Sequence, residues 1–341
     1  MKKLLNIDLH ISVIADIIDV FQKIDQSIQI EDWCLSGHTW VLNKETKNLD
    51  ILNSGTWQNI DMAMINSFQN KYDSILETFD GFICCYPVSF ILFFEKYNKP
   101  IYIVNAVRYD MPFCWNNNYK MINELHNCLR RIQEKKLLTF ISNNKADNDY
   151  FKLGNPIINT HIIPSLCLYT TMQWNPAKTN NKFLLYSGEL HNKPNNIINR
   201  SELGRFNWTT LMEYKGIIHL PYEASTMSIF EQISSEIPLF FPSKSFLNFL
   251  WGENRIKHQM NYWKHNNLNT PSYLDSTNNC NFWIERSDYY DIEGIYYFDS
   301  FEQLYQLLEN FKDELYEIRK DFIKNRKEKV IADYTKLILN I

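Results

Sequence analysis

Apolar residues in the first half of the chain come in short blocks that alternate between a strand spacing and a helix spacing. Residues 4–9 and 30–36 read as strands, and between them residues 12–24 set Val13, Ile14, Ile17, Ile18, Phe21 and Ile24 at helical intervals. The alternation continues with a helix around 61–79, a strand over 81–86, a helix over 88–97 and a strand over 101–107. A helix over 119–136, a strand over 137–142, a short helix near 146–152 and a strand over 157–164 complete the series. Strands and helices in this order predict a parallel sheet covered on both faces.

Residues 171–182 (TMQWNPAKTNNK) are polar, contain Pro176 and carry no apolar period, which marks a linker. Beyond it a strand over 182–188 opens a second α/β series. Residues 216–222 read as a buried strand, a helix starts near Ser225 or Thr226, and Pro238 stops it before a strand over 238–242. A helix over 244–251, a short strand over 295–298 and a helix from Phe301 capped by Asp299 or Ser300 follow, while 252–279 is polar and aromatic-rich without a clear period. Residues 312–341 form one long, charged helical pattern. The expected domains are 1–172 and 182–318, closed by a helix over 319–341.

Composition narrows the partners. At 341 residues, 45% hydrophobic and 15% aromatic, the chain has material for two cores, and disorder is excluded. A formal charge of −4, with no strongly basic region apart from the last helix, argues against a nucleic-acid binder and for a small-molecule or glycan partner. Seven cysteines form no CxxC and no zinc spacing with histidine, so no metal site is readable. Their odd number, with several in apolar strands, suggests reduced thiols in a cytoplasmic protein. The opening MKKLLNIDLH has the lysines of a signal peptide, but Asn6, Asp8 and His10 break its apolar run. The apolar run over 81–94 is too short to span a bilayer.

The stretch over 216–243 (GIIHLPYEASTMSIFEQISSEIPLFFPS) carries the most chemistry. Unpaired amides at the helix start near Ser225 and Thr226, with the positive end of the helix dipole, suit an anion such as a diphosphate. Glu223 stands just before that site and Glu231 two turns into the helix; both accept hydrogen bonds from hydroxyls when ionised. The same Glu spacing recurs at Glu285 with Glu293 and at Glu309 with Glu317, but only the first pair sits in a strand-turn-helix-strand setting.

This stretch resembles the donor-binding core of glycosyltransferases of the GT-B fold, whose signature is Glu, seven residues, Glu, then a small residue, Pro and a strand. Glu223, Glu231 and Pro238 match, and Ile237 stands where the small residue would be. The resemblance implies two Rossmann-like domains facing each other across a cleft, with the final helix crossing back to the first domain through Ile331, Tyr334, Leu337 and Ile338. It implies an acceptor-binding first domain, a donor-binding second domain and a metal-independent hexosyl- or related transferase. Such an enzyme uses no cofactor, its nucleotide-sugar donor being a co-substrate, and its acceptor is a glycan or other small hydroxyl compound. Glu231 then binds the ribose and Glu223 lies near the donor sugar. Family members often carry a basic residue after the strand at 182–188; here Glu189 stands in that place. The nearest bases are Lys193, Arg200 and Arg205, of which Lys193 and Arg205 rank first as diphosphate ligands.

For the acceptor side, the ends of the first-half strands are His10, Gly37-His38-Thr39, Tyr86-Pro87, Arg108-Tyr109-Asp110, Asn143-Asn144 and Ser165. Ligands of parallel sheets bind at such ends, and no glycine-rich phosphate loop follows the first strand. His10 and His38 are candidate bases, with Asp8 placed to orient His10, and in some inverting members of the resembling group the base is a His on this loop. Asp110 is a third candidate, and Arg108 is either its ion partner or a phosphate ligand. The basic face of the last helix offers weak peripheral contact to an anionic membrane, a solvated face being the plainer reading. Alternative activities are a nucleotide-sugar epimerase of the same paired-domain fold and a non-catalytic glycan-binding relative; a generic α/β protein with a coincidental Glu pair is the plainest reading.

Overall fold

The computed structural model describes residues 2–190, 192–253, 255–256 and 278–338. The chain divides into two compact units, the first made of residues up to 165 with those from 330, the second of the described residues between 166 and 329.

In the first unit β1 (Lys3–Asp8), β2 (Gln29–Cys34), β3 (Gly81–Cys84), β4 (Ile101–Asn105), β5 (Leu138–Ser142) and β6 (His161–Ile162) form a parallel sheet in the order β2-β1-β3-β4-β5-β6. Ile7, Cys84 and Ile103 lie side by side across its three central strands. These strands are buried nearly throughout, as near-continuous apolar runs require when both faces are covered. The connecting helices are α1 (Ile11–Ile24), α2 (Met62–Leu76), α3 (Tyr119–Glu134) and α4 (Lys145–Gly154). Side chains of Asp61, Asn118 and Asn144 cap the last three. Phe21 of α1 meets Tyr102 and Tyr334 at ring-centroid distances of 5.8 and 6.2 Å, so a residue that follows both sheets in sequence completes this core.

In the second unit β7 (Phe183–Ser187), β8 (Ile197–Asn199), β9 (Ile217–His219), β10 (Leu239–Pro242) and β11 (Tyr296–Phe298) form a parallel sheet in the order β11-β10-β9-β7-β8. Its helices are α5 (Trp208–Leu211), α6 (Met227–Ser234), α7 (Lys244–Gly252), α8 (Asn278–Ile284) and α9 (Phe301–Glu309). Phe240 centres the core, with the rings of Phe183, Tyr296 and Phe311 at 5.6, 5.1 and 5.2 Å. The last helix, α10 (Tyr316–Ile338), starts in this unit and ends in the first. Its Arg319 is wholly buried and donates to the carbonyls of Glu236 and Gly294 while pairing with Asp313 at 2.5 Å. No helix among the described residues is long and apolar enough to cross a membrane.

Both units are thus Rossmann-like α/β layers, as the alternating pattern predicts. Several elements differ from their expected form. The expected helix over 88–97 is two 3-10 helices, Val88–Phe93 and Glu95–Tyr97, the first starting from Pro87 and the second ending at Asn98 in the left-handed region. The strand over 157–164 shrinks to the two exposed residues of β6, and the strand over 216–222 stops at His219, two residues before Pro221. Ser300, not Asp299, caps α9. β8 and α5 are too short to leave a periodic signal, and most of 252–279 lies outside the described residues.

Candidate functional site

In each sheet the first strand has its successor on one side and the third strand on the other. The strand order therefore reverses between β1 and β3, and between β7 and β9. The crevice outside the carboxyl ends at such a reversal is where doubly wound sheets hold ligands.

In the second unit that point is built around Gly188. Its φ is +83°, and a Cβ there would come within 2.5 Å of Leu220 Cβ, so glycine alone lets the ends of β7 and β9 approach this closely. Ser187 Oγ donates to the Leu220 carbonyl at 3.2 Å and lies 3.4 Å from His219 Nδ1. His219 is stacked on Phe241 at 4.8 Å, and its Nε2 is 2.6 Å from Gln232 Oε1. Burial lowers the pKa of His219 to about 4, so the ring is neutral near pH 7. This neutral network ties the end of β9 to both β7 and α6.

Beside it opens a cavity of about 530 Å³ lined by Tyr186, Ser187, Gly188, Glu189, Asn199 and Arg200, among others. Arg200 directly follows β8. Its guanidinium lies 4.7 Å from the ring centroid of Tyr186 and 6.0 Å from that of Phe206, with no ion pair among the described residues. An arginine stacked on aromatic rings keeps its planar fork oriented for an anion. Tyr186 also hydrogen-bonds Ser228 in the first turn of α6. Burial, then the charge of Glu231, raises the Tyr186 pKa, while Arg200 opposes the shift. Glu231 itself accepts hydrogen bonds from Tyr169 Oη and from Trp208 Nε1, the latter at 3.1 Å. Arg200, Tyr186, Ser228 and Glu231 thus form one connected constellation.

Several expected members stand elsewhere. Lys193, expected as a diphosphate ligand, pairs with Glu202 and the Ile197 carbonyl, both at 2.9 Å, and is not among the cavity-lining residues. Arg205 is exposed and outside the cavity lining. Thr226 occupies the N-cap position of α6 without a side-chain cap, its hydroxyl lying 3.0 Å from Ser228 Oγ, and Ser225 precedes the helix start. Glu223 is buried in the turn after β9, where its charge raises the pKa values of Tyr222 and Tyr289 secondarily to burial; it does not line the cavity. The sequence names Arg200 among the nearest bases but ranks Lys193 and Arg205 ahead of it, because β8, which delivers Arg200, spans only three residues and leaves no periodic signal.

In the first unit the reversal point holds His10. Asp8 does not orient the imidazole; it accepts the His10 backbone N–H at 2.8 Å and the Asn6 side-chain amide at 2.5 Å. Burial and the charge of Asp32 raise the Asp8 pKa to about 7. Burial, with a smaller contribution from His38, lowers that of His10 to about 4. His10 Nδ1 is buried without a hydrogen-bond partner among the described residues. His38 is exposed, its backbone N–H donating to Ser36 Oγ at 3.1 Å. Asp110 is wholly buried, accepts from Tyr150 Oη at 2.8 Å and has its pKa raised to about 6 by burial. Buried Arg108 acts electrostatically on both Asp110 and Asp147, which favours the ion-partner role over that of a phosphate ligand.

No protein-family model matches the chain, and no curated protein matches it by sequence. Among solved structures, the glycosyltransferase SnogD from Streptomyces nogalater aligns with a TM-score of 0.46 and 9% identity, covering 99% of each chain. The glycotransferase of kitacinnamycin aligns at 0.43 with 10% identity, over 99% of this chain and 98% of that one. UDP-N-acetylglucosamine 2-epimerase from Rickettsia bellii aligns at 0.37 with 12% identity, again over 99% and 98%.

Proposed function

We propose that the protein is a glycosyltransferase that moves a sugar from a nucleotide-sugar donor to a hydroxyl acceptor. The observation that carries this reading is the constellation at the reversal point of the second sheet, where a cavity beside Gly188 holds an aromatic-stacked arginine connected through Tyr186 to Glu231.

In this reading the donor's diphosphate meets Arg200 and the amides at the start of α6, where its charge is stabilised as the bond to the anomeric carbon breaks. Glu231, held by Tyr169 and Trp208, accepts the ribose diol. The first unit supplies the acceptor's base. His10, neutral at pH 7 and with its Nδ1 unpartnered among the described residues, is the residue we assign to that base.

Thermal stability with UDP, GDP, ADP, CMP and dTDP, on wild type, Glu231→Ala and Arg200→Ala, tests the donor half. A nucleotide at 100 times its dissociation constant adds about 2.7 kcal/mol. Stabilisation by one nucleotide, lost in both variants, supports the proposal; no stabilisation by any of them overturns it. With the donor class known, product analysis separates transfer from epimerisation.

A further inference from the structure

One face of β1 and β2 is polar where parallel strands are normally apolar. Asn6 and Asp8 flank Ile7 on β1, so both point to the same face, and their register partners on β2 are Asp32 and Cys34. Asn6 and Asp8 are wholly buried. The Asn6 side-chain nitrogen donates to Asp8 Oδ2 at 2.5 Å and to Asp32 Oδ1 at 2.9 Å, so one amide bridges two carboxylates. Asp8 Oδ1 takes two more donors, the Cys34 thiol at 3.4 Å and the His10 backbone N–H at 2.8 Å. His10 holds the N-cap position of α1, so this last bond joins the cluster to the loop that carries the imidazole.

Charge around the bridge is unbalanced. Asp32 has Lys44 at 3.2 Å, whereas Asp8 has no ion pair among the described residues. The other groups that act on the cluster do not compensate: Cys34 of β2, Cys84 and Cys85 at the end of β3, and, behind Cys85, Asp16 of α1 and Tyr334 of α10. His10, on which His38 acts in turn, is neutral near pH 7. Two carboxylates this close, with one cation between them, share a proton near neutral pH and titrate as a pair. The raised pKa of Asp8 agrees with that balance.

We infer that the Asp8–Asn6–Asp32 cluster is a proton-operated latch on the loop after β1, with Asp8 as the positioning residue for His10. Ionised, Asp8 accepts all three donors, and the His10 N–H is held by a full charge. Protonated, it carries an O–H that needs an acceptor, and Asp32, across the same amide, supplies one. The Asn6 bridge then opens and the bond to the His10 N–H weakens. The loop is therefore held more firmly above the titration of the pair than below it. The latch rests on the geometry of the cluster; its effect on catalysis rests on the transferase reading.

NMR of protein labelled with isotopic nitrogen in histidine reads the latch, with His10→Gln identifying the His10 amide and circular dichroism verifying that each variant is folded. As pH rises through a midpoint near 7, the His10 amide proton should move downfield, and its exchange with solvent, relative to an unprotected amide, should slow. Asp8→Asn should abolish both changes. Asp32→Asn should lower the midpoint by about one pH unit, because it removes the neighbouring charge. A His10 amide that does not titrate in wild type, that titrates unchanged in Asp8→Asn, or that keeps its midpoint in Asp32→Asn overturns the latch. In steady-state kinetics kcat should rise through the same midpoint in wild type and lose that dependence in Asp8→Asn, with KM for the nucleotide sugar unchanged. A titrating amide with a pH-independent kcat overturns the positioning role alone. Absence of nucleotide-induced stabilisation from wild type counts against the transferase reading, and the latch is judged separately by NMR.

Discussion

The two units share a strand order, yet their reversal points are chemically unlike. In the first, the strand ends hold titratable groups with shifted proton affinities, Asp8 and His10, and lead outward along aromatic rings. In the second, the ends leave a cavity, and the cation there is fixed by π-stacking instead of by a carboxylate. One topology thus accommodates two chemically different crevices, one with buried titratable groups and one with an aromatic-stacked arginine. The backbone provides the crevice, and the few residues beyond each strand decide its use.

Arg200→Ala should break the contrast most severely. Transfer is expected to fall about 100- to 1,000-fold, as when one preorganised charge-stabilising group is lost, with Arg200→Lys recovering part of it. Steady-state kinetics with the stabilising nucleotide's sugar would measure this. Next come the glycines. Gly188→Ala places a Cβ against Leu220 at positive φ and should cost about 2–4 kcal/mol in chemical denaturation. Gly37→Ala, at the end of β2 in the first unit, meets no atom within 4 Å and should change stability by less than about 0.5 kcal/mol.

Proton linkage sharpens the comparison further. Because the Asp8 pKa is raised to about 7, the folded state retains a proton that the unfolded chain releases from about pH 4 upward. This contribution therefore favours the folded state at low pH and is lost as pH rises from about 4 to 7. His10 has the opposite sign: its lowered pKa makes stability rise between about pH 4 and 6.5. Asp8→Asn should remove the first dependence and expose the second, a change of a few kcal/mol readable by urea denaturation at pH 5 and pH 7.5. The smallest effect belongs to Lys193→Ala, which should lower stability by about 0–1 kcal/mol and leave nucleotide-induced stabilisation unchanged, since Lys193 already pairs with Glu202.

The layered architecture was legible because buried strands and amphipathic helices carry distinct periods, and the ends of β1 to β5 followed from it to within a few residues. Where local rules compete, that legibility failed. The apolar run after Pro87 has helical composition but folds as 3-10 turns, and three-residue β8 is recognised only by its neighbours in the sheet. The candidate site divided the same way. Local placement of Glu231 and His10 could be read, because each lies close to an element with a strong pattern. Commitment could not: Lys193 and Arg200 look alike in sequence, and only tertiary structure pairs one with Glu202 and lays the other over Tyr186. The burial of Glu223 and Asp110 was likewise not legible, since burial is a property of the whole fold.

The shared α10 has a consequence for synthesis on the ribosome. Chains emerge N-terminus first, and domains usually fold in that order. Here the strands of the first unit are made earliest, but Tyr334, which closes the core against Phe21, is translated after every strand of both units. The first unit to be started is therefore the last to be finished. Until α10 is made the first sheet waits with one aromatic position unfilled, and the second unit can complete its own core, Arg319 included, before the first is sealed.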